Sequence, residues 1–204
     1  KHAGPIGGIL EELHDVLDPW LGAPKWKQTK GRITFYYRYE SEVIPVRNMK
    51  VKIEINTREH FKYSELVEIP FGISNRWFEG EALVASYSLE ELLGTKMRAL
   101  YQRKKGRDLF DLMVILKNFP DLDRQKIVNC FLFYLDKEGL QISKAEFEKN
   151  MHQKLRDKLF LEDTAALLQP NRDYNHEVSY SIVHKNLISL LPGLSWVNKT
   201  REIR

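Results

Sequence analysis

The hydrophobic pattern changes its period at Ser88, and that change limits the fold more than any other feature of the chain. Before it, apolar residues recur at every second position. Met49-Lys50-Val51-Lys52-Ile53-Glu54-Ile55 alternates strictly, with Val51, Ile53 and Ile55 on one face and Lys50, Lys52 and Glu54 on the other. Ile33-Thr34-Phe35-Tyr36-Tyr37 is β-branched and aromatic, and shorter strands are predicted at Leu66–Ile69 and Ala82–Tyr87, with a loop holding Pro70, Gly72 and Gly80 between them. Upstream, Ile9–Leu17 reads as a helix, ended by Pro19, Gly22 and Pro24 in a loop that carries Trp20 and Trp26. From Ser88 onward the spacing is helical. Ser88-Leu89-Glu90-Glu91 and Ser143-Lys144-Ala145-Glu146 have the form of capping boxes. Helices are predicted at about 88–104, 108–117, 123–137, 143–158 and 177–191, punctuated by Pro120, Gly139 and Pro170. Strands first and helices afterwards imply an α+β fold.

A length of 204 residues suits one large domain or two small ones. The longest mostly apolar stretch, Leu109–Leu116, is interrupted by Asp111 and is far short of the ~20 residues that span a bilayer, so no transmembrane helix and no membrane partner is expected. The one cysteine, Cys130, has no second thiol to pair with and lies in an apolar run, which makes it a core thiol and the cytoplasm the expected compartment. The net charge of +4 permits polyanionic partners without requiring them. None of His2, His14, His60, His152, His176 and His184 has metal-ligand spacing, so all are expected at the surface or at caps. The chain opens on Lys1 and runs directly into its first helix, as the remainder of a longer protein would.

Four features carry possible chemistry. Glu54, on the polar face of its strand, either faces water between lysines or offers a hard oxygen ligand to Mg²⁺. Lys96 falls inside the apolar stripe Leu89, Leu92, Leu93, Met97, Leu100, where its ammonium either escapes to water along its stem or is aimed into a cleft for phosphates. From Lys96 to Arg107 stand Lys96, Arg98, Arg103, Lys104, Lys105 and Arg107 with no acid. The negative end of a helix explains Lys104 and Lys105, and phosphate binding would explain the rest. In Arg107-Asp108-Leu109-Phe110-Asp111-Leu112, Asp108 reads as an N-cap. Asp111, alone among apolar residues, needs a partner such as Lys96, Arg98 or Arg107. Gly94-Thr95-Lys96 lacks P-loop spacing. Trp20, Trp26 and Trp77-Phe78 are assigned mainly to core packing, with base stacking as the alternative.

The order of strand Lys52-Ile53-Glu54-Ile55-Asn56, helix Lys96-Met97-Arg98-Ala99-Leu100, basic Arg103-Lys104-Lys105 and Arg107-Asp108-Leu109-Phe110-Asp111-Leu112 resembles the AbiEii family of nucleotidyltransferase toxins. These toxins are a branch of the DNA polymerase β-like superfamily found in type IV toxin–antitoxin and abortive-infection systems. The likeness is close over residues 48–117, and the block from Ser88 to Leu112 is its specific part. It implies a mixed sheet forming part of a nucleotidyltransferase domain over residues 1–87, then a helical domain over 88–204. It also implies transfer of a nucleoside monophosphate from an NTP to an acceptor RNA, tRNA in related toxins, with Mg²⁺ as cofactor, and a cognate antitoxin that need not touch the enzyme. By the resemblance, Glu54 is the third acidic position of the metal site and Lys96 the family's lysine. Arg107, Asp108 and Asp111 form its final motif, and Lys96, Arg98, Arg103 and Arg107 bind nucleotide phosphates. The family's earlier Gly-rich helix start and Asp-x-Asp strand are absent before Ile33, and Gly7-Gly8 does not replace them. The chain is therefore expected to begin downstream of them, to hold half an active site and to be inactive alone; the rival expectation is a non-catalytic module for RNA or protein binding on the same scaffold.

Overall fold

Alternation along Ile33, Phe35 and Tyr37 puts three large side chains on one side of a strand, where they are almost fully buried. In the computed structural model, which describes residues 6–59, 61–168 and 174–197, they anchor the first of two units, Lys1–Lys62 and Tyr63–Arg204.

The first unit comprises α1 (Gly7–Leu21), β1 (Lys25–Thr29), β2 (Arg32–Glu40) and β3 (Asn48–Asn56), with the strands antiparallel in the order β1-β2-β3. Leu10, Leu17 and Leu21 of α1 cover the face formed by Ile33, Phe35 and Tyr37, with Val51, Ile53 and Ile55 of β3 beside them. Tyr37 donates its hydroxyl to Asp18 at 2.9 Å, and His14 meets the other Asp18 oxygen at 2.8 Å. Burial, reinforced by that carboxylate, pushes the Tyr37 phenol up to about 12. Gly31, with φ of 84°, makes the β1–β2 turn possible.

The second unit begins with a hairpin, β4 (Val67–Ser74) and β5 (Glu79–Ser86), closed by Asn75, whose side chain accepts from the backbone of Trp77 and Phe78 at 2.9 and 3.0 Å. Helices follow: α2 (Leu89–Gln102), α3 (Gly106–Asn118), α4 (Arg124–Asp136), α5 (Lys144–Lys154), α6 (Lys158–Glu162) and α7 (His176–Asn186). Their shared core is built from Leu93, Met97, Leu109, Leu112, Phe131, Phe147 and Met151 among others. Two glycines set its tightest contacts. A Cβ on Gly94 would stand 2.5 Å from Cys130 Cβ, and one on Gly106 would stand 2.2 Å from the Phe160 carbonyl. Cys130 is buried, as expected, and its thiol is pushed up to about 12, chiefly by that burial. No helix among the described residues is long and apolar enough to cross a membrane.

The α+β layout is as expected, but several details are corrected. All described strands pair antiparallel, in two separate sheets rather than one mixed sheet, because their connections are too short for the crossover that a parallel pair needs. The first helix runs through Pro19 to Leu21; the Gly22 amide still reaches the Asp18 carbonyl, and Leu21 is buried. Trp26 lies on β1, a strand held by pairing with β2 and not by burial. Pro70, Gly72 and Gly80 lie within strands. A two-stranded ribbon has an open edge where a missing donor costs little. The helix predicted at 143–158 breaks after Lys154, where Asp157 caps α6, and the last helix stops at Asn186. Ser143 and Glu146 form a full capping box, whereas Glu91 turns inward and only Ser88 acts as a cap. Trp20, Trp26, Trp77 and Phe78 are exposed rather than packed. His2, His60 and Pro170 lie outside the described residues.

Candidate functional site

Lys96 lies near the middle of α2, and its stem crosses the apolar stripe toward the first two turns of α3. There its Nζ stands 2.8 Å from Asp111 Oδ2 and 3.6 Å from Asp108 Oδ1. The Lys96 and Asp111 side chains are each about a third exposed (31% and 38%), so the pair borders solvent. Asp108, by contrast, is fully buried, and Arg103 grips it through two 2.7 Å hydrogen bonds from Nε and Nη2. That bond raises the Arg103 guanidinium further above its ordinary value. Asp108 is thus not the N-cap: α3 starts two residues earlier, at Gly106, which lacks a side chain and fits against the Phe160 carbonyl. This places Asp108 in the first helical turn, where its charge also suits the free amides. The sequence expectation that Asp111 needs a cation is met by Lys96.

The remaining cations of the basic run each meet a carboxylate. Arg107 binds Asp163 through Nε and Nη2, both at 2.9 Å, and Lys105 reaches the same carboxylate at 3.0 Å. Arg107 above all, joined by Lys105, holds Asp163 well below the usual carboxylate range. Lys104 pairs with Asp157 at 2.8 Å. Arg98 pairs with Glu138 at 3.1 Å and lies over the Tyr134 ring. The explanation of Lys104 and Lys105 as helix C-terminal cations is corrected: the last carbonyls of α2, on Leu100 and Tyr101, accept instead from the buried Lys154 of α5. Burial lowers the Lys154 ammonium to about 8.

Glu54 stands in the first unit, on the open face of its sheet. Lys52 at 2.9 Å and Arg32 at 3.1 Å share one of its oxygens, and the hydrogen bond from Lys52, more than any other cause, keeps it below the usual carboxylate range. Mg²⁺ does not fit the described residues as a complete site. Glu54 is a single carboxylate already matched by two cations, and no group of three or more His, Cys, Asp or Glu side chains among the described residues could hold a metal. Asp121-Leu122-Asp123 is no substitute, since it forms the turn before α4 with Asp123 as its cap.

Some features were hidden from sequence reading. Glu91 is fully buried and accepts from Tyr134 Oη at 2.6 Å and from the amides of Tyr63 and Ser64 at 2.7 and 2.9 Å; its capping-box position disguised it. A cleft of about 510 Å³ among Glu148, His152, Arg156, Tyr180, His184 and Trp196 includes none of the predicted site residues. In it His184 pairs with buried Glu148 at 2.7 Å, and the His152 and Trp196 rings meet at 4.6 Å. The described histidines therefore have partners and are not bare surface groups; burial also lowers His176.

Comparison with known protein families matches residues 3–181 of this chain to the model described as nucleotidyl transferase AbiEii toxin, type IV TA system. No curated protein and no solved structure matches it significantly.

Proposed function

The chain belongs to the AbiEii family of nucleotidyltransferase toxins, and on that premise we propose that it serves the transfer of a nucleoside monophosphate from an NTP to an RNA acceptor, tRNA. An acceptor hydroxyl oxygen bonds to the α-phosphorus, the bond to pyrophosphate breaks, and the hydroxyl proton is released. The observation that carries this reading is the Lys96–Asp111 pair at the edge of solvent, backed by buried Asp108 and its half-exposed partner Arg103. An ammonium held by one hydrogen bond to a part-exposed carboxylate can turn to a triphosphate, whereas buried Asp108, held by two hydrogen bonds, fixes the α2–α3 corner behind it. Asp111 sets the position of Lys96, while Arg98, Arg103 and Arg107, each matched by a carboxylate, would have to exchange that partner for a phosphate to bind the nucleotide. Mg²⁺ is the cofactor the family's reaction calls for, and the described residues do not by themselves form a complete site for it. The family's type IV systems supply a cognate antitoxin as the toxin's counterpart.

The test uses a polypeptide extended upstream to carry the family's Asp-x-Asp strand, incubated with Mg²⁺, labelled NTPs and total tRNA. Label should pass to tRNA. Lys96→Ala should reduce transfer by about a hundredfold and Asp111→Ala by about tenfold, magnitudes usual for loss of one preorganised charge. Transfer absent from the extended protein, or indifferent to Lys96→Ala, defeats the reading. A second reading, an RNA-binding module without turnover, is favoured by the double pairing of Glu54 with Lys52 and Arg32; it predicts salt-sensitive RNA binding and no transfer.

A further inference from the structure

The three-stranded sheet sorts its side chains by register. On β2, Ile33, Phe35 and Tyr37 face the α1 side, which leaves Arg32, Thr34, Tyr36, Arg38 and Glu40 on the other, where Thr34 is buried, Tyr36 is part-exposed and the three charged residues are exposed. Across the ladders, Lys25 of β1 and Lys52 of β3 flank Tyr36, Lys27 and Glu54 flank Thr34, and Lys50 stands opposite Arg38. This face therefore gathers Lys25, Lys27, Arg32, Arg38, Lys50 and Lys52, all exposed, against Glu40 and Glu54. Glu54 is already shared by Lys52 and Arg32. Among the described residues, Lys25, Lys27, Arg38 and Lys50 have no ion-pair partner, and Lys50 Nζ lies 5.9 Å from the centre of the Tyr36 ring.

An open sheet face is ordinarily polar with both signs mixed, and lysines on an edge strand discourage aggregation. That accounts for Lys25 and Lys27 on β1. It does not account for Arg38 and Lys50 directly opposed, since like charges across a strand pair are destabilising and a polyanion relieves them. Nor does it account for an aromatic ring set between rows of cations. A sheet face offering both is the kind of surface on which unpaired bases stack while their phosphates meet lysine and arginine.

We propose that the open face of β1-β2-β3 binds single-stranded RNA, with a base on Tyr36 and the phosphate backbone along Lys25, Lys27, Arg38 and Lys50. The choice of RNA as the strand rests on the acceptor proposed above; the face itself supplies the rows of charge and the ring.

The experiment measures anisotropy of a labelled, unstructured RNA of about 20 nucleotides with the full chain, without NTP or metal, over a salt series. Lys25→Glu with Lys27→Glu, and Arg38→Glu with Lys50→Glu, should each weaken binding about tenfold or more and flatten the salt dependence. Lys149→Glu with Lys185→Glu, an equal change of net charge elsewhere, should change it less than about twofold. Tyr36→Leu should weaken single strands about tenfold with an unaltered salt slope and leave a duplex of the same length unaffected. Thermal melts show whether each variant is folded. Absent salt-sensitive binding, equal losses from the control pair, or equal loss of duplex and single strand in Tyr36→Leu each overturn the proposal. The assay needs no turnover, so binding lost with transfer retained refutes this surface alone, and transfer absent with binding retained refutes the transferase reading alone.

Discussion

Between Lys96 and Arg107 six cations crowd together in sequence, and in space each has a carboxylate: Asp111, Glu138, Asp108, Asp157 and Asp163 are drawn to them, the last by two. On the open face of the first unit's sheet six cations are scattered from Lys25 to Lys52 in sequence, and only Arg32 and Lys52 are matched, by Glu54. The difference lies in the acids and not in the cations, most of which are about as exposed in one place as in the other. Asp108 and Asp163 are buried against the helical core, where an unpaired carboxylate is expensive, so the cations of the run close on them. The sheet face borders water, which solvates its lysines without help. Charge density along a sequence is thus a poor guide to charge available to a ligand.

If that contrast is sound, the largest effect should follow from removing the one acid at the corner with no exposure at all. Asp108→Ala should cost about 3 kcal/mol in urea denaturation, the low side for breaking a buried pair, because Arg103 is half-exposed and can turn to water. A loss under about 1 kcal/mol would mean that the corner tolerates its charges as freely as the sheet does.

Lys154 sharpens the same comparison by titration. Its folded value of about 8 lies below its ordinary 10.5, so between these values the unfolded chain binds more protons and stability rises with pH. This group alone should contribute a gain of roughly 2 kcal/mol from pH 8 to pH 10. Cys130, raised from 9.0 to about 12, acts with the opposite sign from about pH 9, and Tyr37 and Tyr180, both pushed up to about 12, join it near pH 10, because each ionises more easily unfolded than folded. The stability of the wild type relative to Lys154→Met should therefore rise by roughly 2 kcal/mol between pH 8 and pH 10; a constant difference would mean that Lys154 is not the group that titrates.

These two cases also mark how far the sequence could be read. The period change at Ser88, the strand at Asn48–Asn56 and the need of Asp111 for a cation were legible, because strand alternation and helical spacing are local, whereas the choice of Lys96 over Arg98 and Arg107 needed the packing of α2 on α3. Lys154 was not, since its partners, the carbonyls of Leu100 and Tyr101, lie some fifty residues away. Glu91 was misread because a capping-box pattern fits an inward carboxylate equally well. β1 was missed because its residues are all exposed and only the ladder to β2 makes them a strand. The basic sheet face stayed hidden for the same reason: register, which no single segment reveals, brings Lys25 and Lys52 to either side of Tyr36.

A smaller effect is expected at Asp163, whose side chain is nearly buried but whose partners, Arg107 and Lys105, are each about half-exposed. Asp163→Ala should cost about 1 kcal/mol, since both cations can return to water. Because the acid is held below its ordinary 3.8, its contribution is present above that pH and fades on acidification below it. Wild type and variant should therefore converge in stability at low pH, and a gap that persists there would show that packing, and not charge, supplied the difference.

The smallest change should come from the sheet face. Lys25→Ala, Lys27→Ala and Lys50→Ala should each shift the urea midpoint by less than about 0.5 kcal/mol, as surface substitutions usually do. Lys50→Ala should be neutral or slightly stabilising, because it removes the like charge opposite Arg38. The same three substitutions should lower RNA affinity, so stability and binding would separate here and not at Asp108. A cost above about 1 kcal/mol at any of them would mean that its stem is a packing partner of the sheet, and the face would then be a structural surface with its cations already committed.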